Sequence, residues 1–227
     1  MDIVLLIPGH IETKYHMKMA KEKNKFVEII KNSAPDWLNI EVIYSCDLLN
    51  PDLKKILTKD FTFRNFNFDH YIDLENIITK GIVRPTKCGI KYAYCKYGPK
   101  SFFARTGQDC IIEPTKFIKM LSEFKDRVND LFMLGGSDTD KNFKLCFQDQ
   151  KQIDTVPPRW RFCQGNFMFA STWVWNKYYV NKLPPHIGHY ADDSAVSWLI
   201  YNDGGELIHY TKNQFWKHYG EKNFPYK

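Results

Sequence analysis

The sequence predicts an α/β protein with a mixed, mostly parallel sheet flanked by helices, and three stretches carry that prediction. Ile3 to Pro8 is a continuous apolar run, the pattern of a strand buried on both faces. Residues 12–32 follow with apolar side chains at helical spacing, and residues 38–44 return as a second strand, so the chain opens with a right-handed βαβ unit. Ser101 to Arg105 reads as a further buried strand that runs out in the polar turn Thr106-Gly107-Gln108-Asp109. In open α/β sheets the carboxyl ends of the strands face the ligand crevice. Asp109 therefore stands where a carboxylate can hold a hard cation or a polar substrate group, with turn capping as the alternative role.

The other elements fall into place around these. Asn32-Ser33-Ala34-Pro35 stops the first helix, and Ser45-Cys46-Asp47 ends the second strand. Residues 50–59 read as a short helix, the alternating aromatics of 61–68 as a strand or edge, and 70–74 as a strand. Pro85 to Tyr97 has helical spacing, sets Lys87 and Lys91 one turn apart on one face, and is ended by Gly98-Pro99. Beyond Asp109, residues 115–124 form an amphipathic helix, and 130–134 a strand running into Gly135-Gly136. Phe167 to Ala170 is an apolar run behind the glycine turn Gln164-Gly165-Asn166. Residues 173–183 and 194–201 are helical, and 206–210 form the last strand.

At 227 residues one domain is expected, large enough to fold without disulfides or metals. The 32 Lys and Arg against 26 Asp and Glu leave a charge of +6, which favours polyanionic partners such as nucleoside diphosphates. That charge is dispersed, with Lys54-Lys55 the only adjacent basic pair, so the basic stripe of a nucleic-acid binder is missing and no nucleic-acid partner is expected. The six cysteines include no CxxC pair and read as reduced thiols. Ile3 to Pro8 is too short and lacks the basic flank of a signal or anchor, so a soluble, cytoplasmic chain with no transmembrane segment is expected.

Asp192-Asp193 stands at a helix start, beside His189 and Tyr190. One carboxylate suffices to cap a helix, so a second is left to deprotonate a hydroxyl as a general base. Gly165 lets a substrate approach the backbone closely, or forms a plain bulge or turn. Trp160, Trp173, Arg159 and Arg161 offer stacking planes and cationic forks, or half-buried packing. No histidine pair has zinc spacing. His209 is the first candidate to complete a site with Asp109, and His218 the second.

As an order of elements from Ile3 to about His209, the chain resembles nucleotide-sugar glycosyltransferases of the GT-A fold, a Rossmann-like architecture. In that family a strand ends in Asp-x-Asp, which binds a divalent cation bridging the donor diphosphate. Here Phe103-Ala104-Arg105-Thr106-Gly107-Gln108-Asp109 falls at that place, with Gly107 standing where the first aspartate would be. Residues 163–170 look like the acceptor-side strand, and residues 190–198 like the acidic motif that supplies the base of inverting members. The resemblance implies a single domain over 1–227, with a nucleotide-binding half over about 1–112 and an acceptor-side half over about 113–227. It implies a nucleoside-diphosphate sugar donor, a glycan or glycoprotein acceptor, and Mn²⁺ or Mg²⁺ held by Asp109 with His209. Asp193 or Asp192 would be the base. Pro8, Gly9, His10, Ser45, Asp47, Lys87 and Lys91 would face the nucleotide, and Gln108, Trp160, Gly165, Asn166 and Trp173 the sugar and acceptor. A single displacement with inversion is the simplest such chemistry. A metal-dependent phosphohydrolase or nuclease, and a catalytically silent nucleotide- or glycan-binding domain, are the alternatives.

Overall fold

The structure, a computed structural model, describes residues 1–10, 13–47, 70–73, 82–136, 163–184, 192–210 and 215–219. The helix expected at 50–59, the aromatic stretch 61–68, Trp160 with its neighbouring arginines, and His186 and His189 lie outside the described residues. The chain runs β1 (Asp2–His10), α1 (Lys14–Ser33), β2 (Asn39–Asp47), β3 (His70–Asp73), α2 (Val83–Tyr97), β4 (Phe102–Thr106) and β5 (Cys110–Ile112). It continues through α3 (Pro114–Phe124), β6 (Phe132–Gly136), β7 (Gln164–Ser171) and α4 (Thr172–Trp175), which passes into a π-helical run, Asn176–Lys182. The last elements are α5 (Asp192–Asn202), β8 (Glu206–His209) and β9 (Trp216–His218).

Seven strands form one sheet in the order β3-β2-β1-β4-β7-β6-β8. Only β7 runs against its neighbours β4 and β6; the other pairs in this sheet are parallel. The apolar runs are continuous because both faces are covered. Along β1, Ile3, Leu5 and Ile7 pack with α1 and α3, while Val4 and Leu6 pack with α2, α4 and α5. The same alternation divides Phe102 and Ala104 from Phe103 on β4, and Phe167 and Phe169 from Met168 and Ala170 on β7. Much of the aromatic excess fills the first of these layers: Phe102 stacks on Phe169 at 5.1 Å between centroids, and Phe167 on Trp216 at 5.2 Å.

Local chemistry sets the element ends. Thr13 caps α1 by accepting from the His16 N–H, and Pro35 follows its end. Glu113 caps α3 by accepting from the N–H groups of Thr115 and Lys116, with Pro114 at the first helical position. Residues 110–112, expected only as an apolar continuation, form a separate antiparallel pair with β9.

The direction of β7 decides what can meet at the crevice. Thr106 at the end of β4 lies opposite Phe167, and Phe102 at its start lies opposite Ser171. Gly165 and Asn166 thus reach the carboxyl end of β4, beside the Asp109 turn. Trp173 is carried to the opposite end of the sheet, where its indole N–H donates to the Val128 carbonyl at 2.9 Å. The expectation that Trp173 faces sugar or acceptor is corrected by that topology.

Gly135, at a break in the β6–β7 register, has no room for a side chain: a Cβ there would lie 2.5 Å from the Cys163 Cβ and 3.0 Å from the Phe167 carbonyl. Gly135→Ala is therefore expected to destabilise by about 1–3 kcal/mol through overpacking. A thermal melt should show the midpoint falling by roughly 5 °C, and an unchanged midpoint would refute the packing argument.

Candidate active site

Arg105 is the last inward position of β4 on the α2/α4/α5 face, and it is fully buried. Its guanidinium meets groups from four elements. Nη1 donates to the Asp192 carboxylate at the start of α5, to the Tyr179 hydroxyl at 3.1 Å and to Thr86 Oγ1 at 3.5 Å, and Nη2 approaches the Met168 sulfur at 3.2 Å. Burial opposes the charge, but the adjacent Asp192 carboxylate outweighs it and holds Arg105 above its ordinary value. The Tyr179 hydroxyl donates to the same Asp192 oxygen at 2.5 Å. Removing one partner from such a buried pair costs about 3–5 kcal/mol, so Asp192 is committed to holding the fold.

Asp193, its neighbour, is held more lightly. Its Oδ2 accepts from the Gly165 N–H at 2.8 Å, and its Oδ1 from the Ser194 N–H at 2.7 Å. Burial and then the Asp192 charge push its carboxyl above the ordinary range, against the pull of Arg105. Gly165 has a reason to be glycine here: a Cβ would lie 3.0 Å from Arg105 Nη2 and 3.4 Å from Asp193 Oδ2. The expected neighbour of Gly165 is a substrate; the neighbours found there are these two side chains.

Two hydrogen bonds tie this corner to the Asp109 turn, since the Gly107 N–H donates to the Asn166 carbonyl at 3.0 Å and Thr106 Oγ1 to the same oxygen at 3.1 Å. Asp109 Oδ2 lies 2.8 Å from Nε2 of His218, which β9 delivers by pairing His218 with Cys110. Burial works against its ionisation, but the His218 bond and charge hold Asp109 below the usual carboxylate range. His218, second among the histidine candidates, is thus the one hydrogen-bonded to Asp109. His209 sits in register with Gly135 on β8, and burial lowers its imidazole to about 4. Among the described residues, no group of three or more His, Cys, Asp and Glu side chains is arranged to hold a metal ion. Asp109 and His218 are engaged with each other through Oδ2 and Nε2, so a cation held here would take the place of that bond and draw its remaining positions from phosphate oxygens and water.

The carboxyl ends of β1 and β2 lie at the same end of the sheet as that of β4. Pro8 lies opposite Ser45, and His10 opposite Asp47, at the end of the β1–β2 ladder. The Ser45 hydroxyl is buried without a hydrogen-bond partner among the described residues. Gly9 lets Gln108 fold over the strand, because a Cβ would lie 2.0 Å from Gln108 Oε1. That oxygen accepts from the Tyr44 hydroxyl at 3.1 Å, and Gln108 is buried. Its side chain therefore closes the β1–β2 corner, which corrects the expectation that it faces the sugar. Lys87 follows Thr86 near the amino end of α2, at the crevice, and is half-buried; Lys91 is exposed, one turn farther off.

No family model matches the chain, and no curated protein matches it in sequence. Solved structures match it in fold. A mannosyltransferase from Pyrobaculum calidifontis, in complex with GDP-Man and Mn²⁺, matches with a TM-score of 0.59 at 10% identity over 93% of this chain. A glycosyltransferase involved in the glycosylation of the major capsid of PBCV-1 matches with a TM-score of 0.51 at 11% identity, covering 95% of this chain and 93% of its own. The fold is GT-A-like. The chain spans 55% of the mannosyltransferase's length. No helix among the described residues is long and apolar enough to cross a membrane.

In this GT-A-like frame, sequence reasoning missed Arg105, Tyr179 and Lys23. Arg105 was findable as the one charge in an apolar strand; Tyr179, one aromatic among many, gave no signal. Lys23, on the core face of α1, is buried with no hydrogen-bond partner for its Nζ among the described residues. Burial lowers its ammonium from 10.5 to about 8, against the attraction of Cys110 and Asp109. A lysine with a lowered folded pKa destabilises while it is protonated in both states, below about pH 8, and stability rises as the pH climbs from there to about 10.5. Lys23→Met is expected to stabilise the fold by about 3 kcal/mol at pH 7, with little gain near pH 10. Urea unfolding at both pH values checks this, and equal gains would refute it.

Proposed function

We propose that the chain is a glycosyltransferase that moves a sugar from a nucleoside diphosphate to an acceptor hydroxyl, with Asp193 as the general base. The observation that carries this reading is the unequal treatment of the two adjacent carboxylates at the crevice end of a GT-A-like sheet. Asp192 is consumed by Arg105 and Tyr179, whereas Asp193 is bonded to backbone N–H groups and shifted toward proton uptake. Two glycosyltransferases of similar fold support the reaction class.

In this reading Asp193 takes the proton of the acceptor hydroxyl while that oxygen forms a bond to the anomeric carbon. The bond from that carbon to the diphosphate breaks, its electron pair leaves with the diphosphate, and the configuration inverts. Asp109 and His218 would hold a divalent cation, which supplies charge neutralisation to the leaving diphosphate when bound. Lys87 would face the phosphates from α2, and Pro8, Gly9, His10, Ser45 and Asp47 the nucleoside. Glycans and glycoproteins are the acceptor classes.

Asp193→Asn is expected to lower kcat by about 10²–10⁴-fold while leaving the donor Kd within a factor of about two. Equal loss of binding and turnover, measured by calorimetry beside a transfer assay, would overturn the assignment. Thermal shifts with nucleoside diphosphates should be larger with Mn²⁺ than without, and His218→Ala should remove the metal-dependent part. A second reading, a nucleotide-binding domain without turnover, is favoured by the two-donor set at Asp109. It predicts the same shifts with no product from any sugar donor.

A further inference from the structure

Tyr178 and Tyr179 are consecutive, and both are fully buried. They lie in the π-helical run that continues α4, a conformation that recurs at functional sites. The Tyr178 hydroxyl donates to Asp203 at 2.8 Å, just past the carboxyl end of α5, and the Tyr179 hydroxyl donates to Asp192 at the amino end of the same helix. Two neighbouring tyrosines thus grip both ends of α5, the helix that carries Asp193. Arg105 completes the grip from β4 by bonding to the oxygen of Asp192 that Tyr179 also holds.

We propose that Tyr179 and Arg105 are positioning residues that fix the Asp192 carboxylate as an immobile negative charge beside Asp193, making Asp193 the proton acceptor of the pair. This deepens the transferase reading and rests on Asp193 as its base. Burial raises the basicity of Asp193 most and Asp192 raises it further by like-charge repulsion, whereas Arg105 and the N–H groups of Gly165 and Ser194 lower it. Other charged groups on the elements packed against α5 have partners of their own: Lys177 and Lys182 pair with Asp203 at 3.5 and 2.7 Å. Burial, and then Asp193 itself, keep the Cys163 thiol well above its ordinary value. The Tyr179 phenol is raised by burial and stays a donor. Burial keeps His209 neutral, and Glu206 is engaged with Arg127 at 2.8 Å. A carboxylate that stayed mobile would instead turn toward Asp193 or toward solvent, and its charge would act at no fixed distance.

The test is a ¹³C NMR titration of side-chain carboxyl groups in the whole chain, with Asp193 identified as the signal lost in Asp193→Asn. Wild-type Asp193 should titrate clearly above the ordinary aspartate value of about 3.9. Asp192→Asn should move that titration down by about one pH unit or more, and the acid limb of kcat/KM should follow it. Tyr179→Phe keeps the buried ring and removes only the hydroxyl that holds the Asp192 charge in place, so it should also move the titration down, by less than Asp192→Asn does. Where Asp192→Asn does not fold, the wild-type and Tyr179→Phe titrations decide. An ordinary value in the wild type, or a titration that stays still in both variants, overturns the proposal. Full transfer by Asp193→Asn would instead overturn the base assignment, whatever the titrations show.

Discussion

Arg105 carries a positive charge into the core where β4 ends, and an isolated guanidinium there would be far too poorly solvated to persist. Asp192 answers it across the sheet–helix boundary, and that single pair dictates much of the surrounding architecture. The start of α5 must reach the end of β4, and β7 passes there with Gly165, where a side chain would crowd the Arg105 guanidinium. The π-helical run after α4 must present Tyr179 at the same oxygen. Buried pairs of this kind add little net stability, yet each partner is hard to lose. They act as registration devices, and here the element held in register also carries Asp193, which is bonded to backbone N–H groups.

The second constraint is geometric. A sheet with helices on both faces sends alternate side chains into separate layers, so a residue's parity on its strand decides which elements it can meet. Arg105 shares its side of β4 with Phe103 and meets α2, the π-helical run and α5. The turn that follows is bridged to β7 through Asn166, which brings the Asp109–His218 pair and the Asp193 corner to the same end of the sheet. One end of the sheet thus holds the Asp109–His218 pair and the Asp193 carboxylate on separate supports.

Much of the frame was legible along the chain. The apolar runs of β1, β2, β4 and β7 and the periodicity of α1, α2 and α3 emerged close to their expected limits, because burial on both faces and one-faced burial leave different periods. Asp109 at a strand end, Gly165 before an apolar run and Asp193 at a helix start were each legible locally, but their meeting at one end of the sheet was not. What failed had particular causes. Trp173 was grouped with the crevice by its residue type, but the antiparallel course of β7 carries it to the far end. Gln108 looked available because it lies in a polar turn; the missing side chain at Gly9 lets it fold inward onto Tyr44. Strand β9, at three residues, is too short to show any period, so the contact of His218 with Asp109 could not outrank that of His209.

The sequence by itself determined the layered α/β frame, the crevice end, and the acidic residues that stand there, since these depend on local period and on turn chemistry. Only the tertiary structure decided which of two adjacent aspartates is bound to Arg105 and which histidine meets Asp109. Those choices rest on residues far apart in the chain, 87 positions for Arg105 and Asp192 and 109 for Asp109 and His218. No local pattern encodes such a pairing; it emerges when strand direction, side-chain parity and the desolvation of a charge are satisfied together.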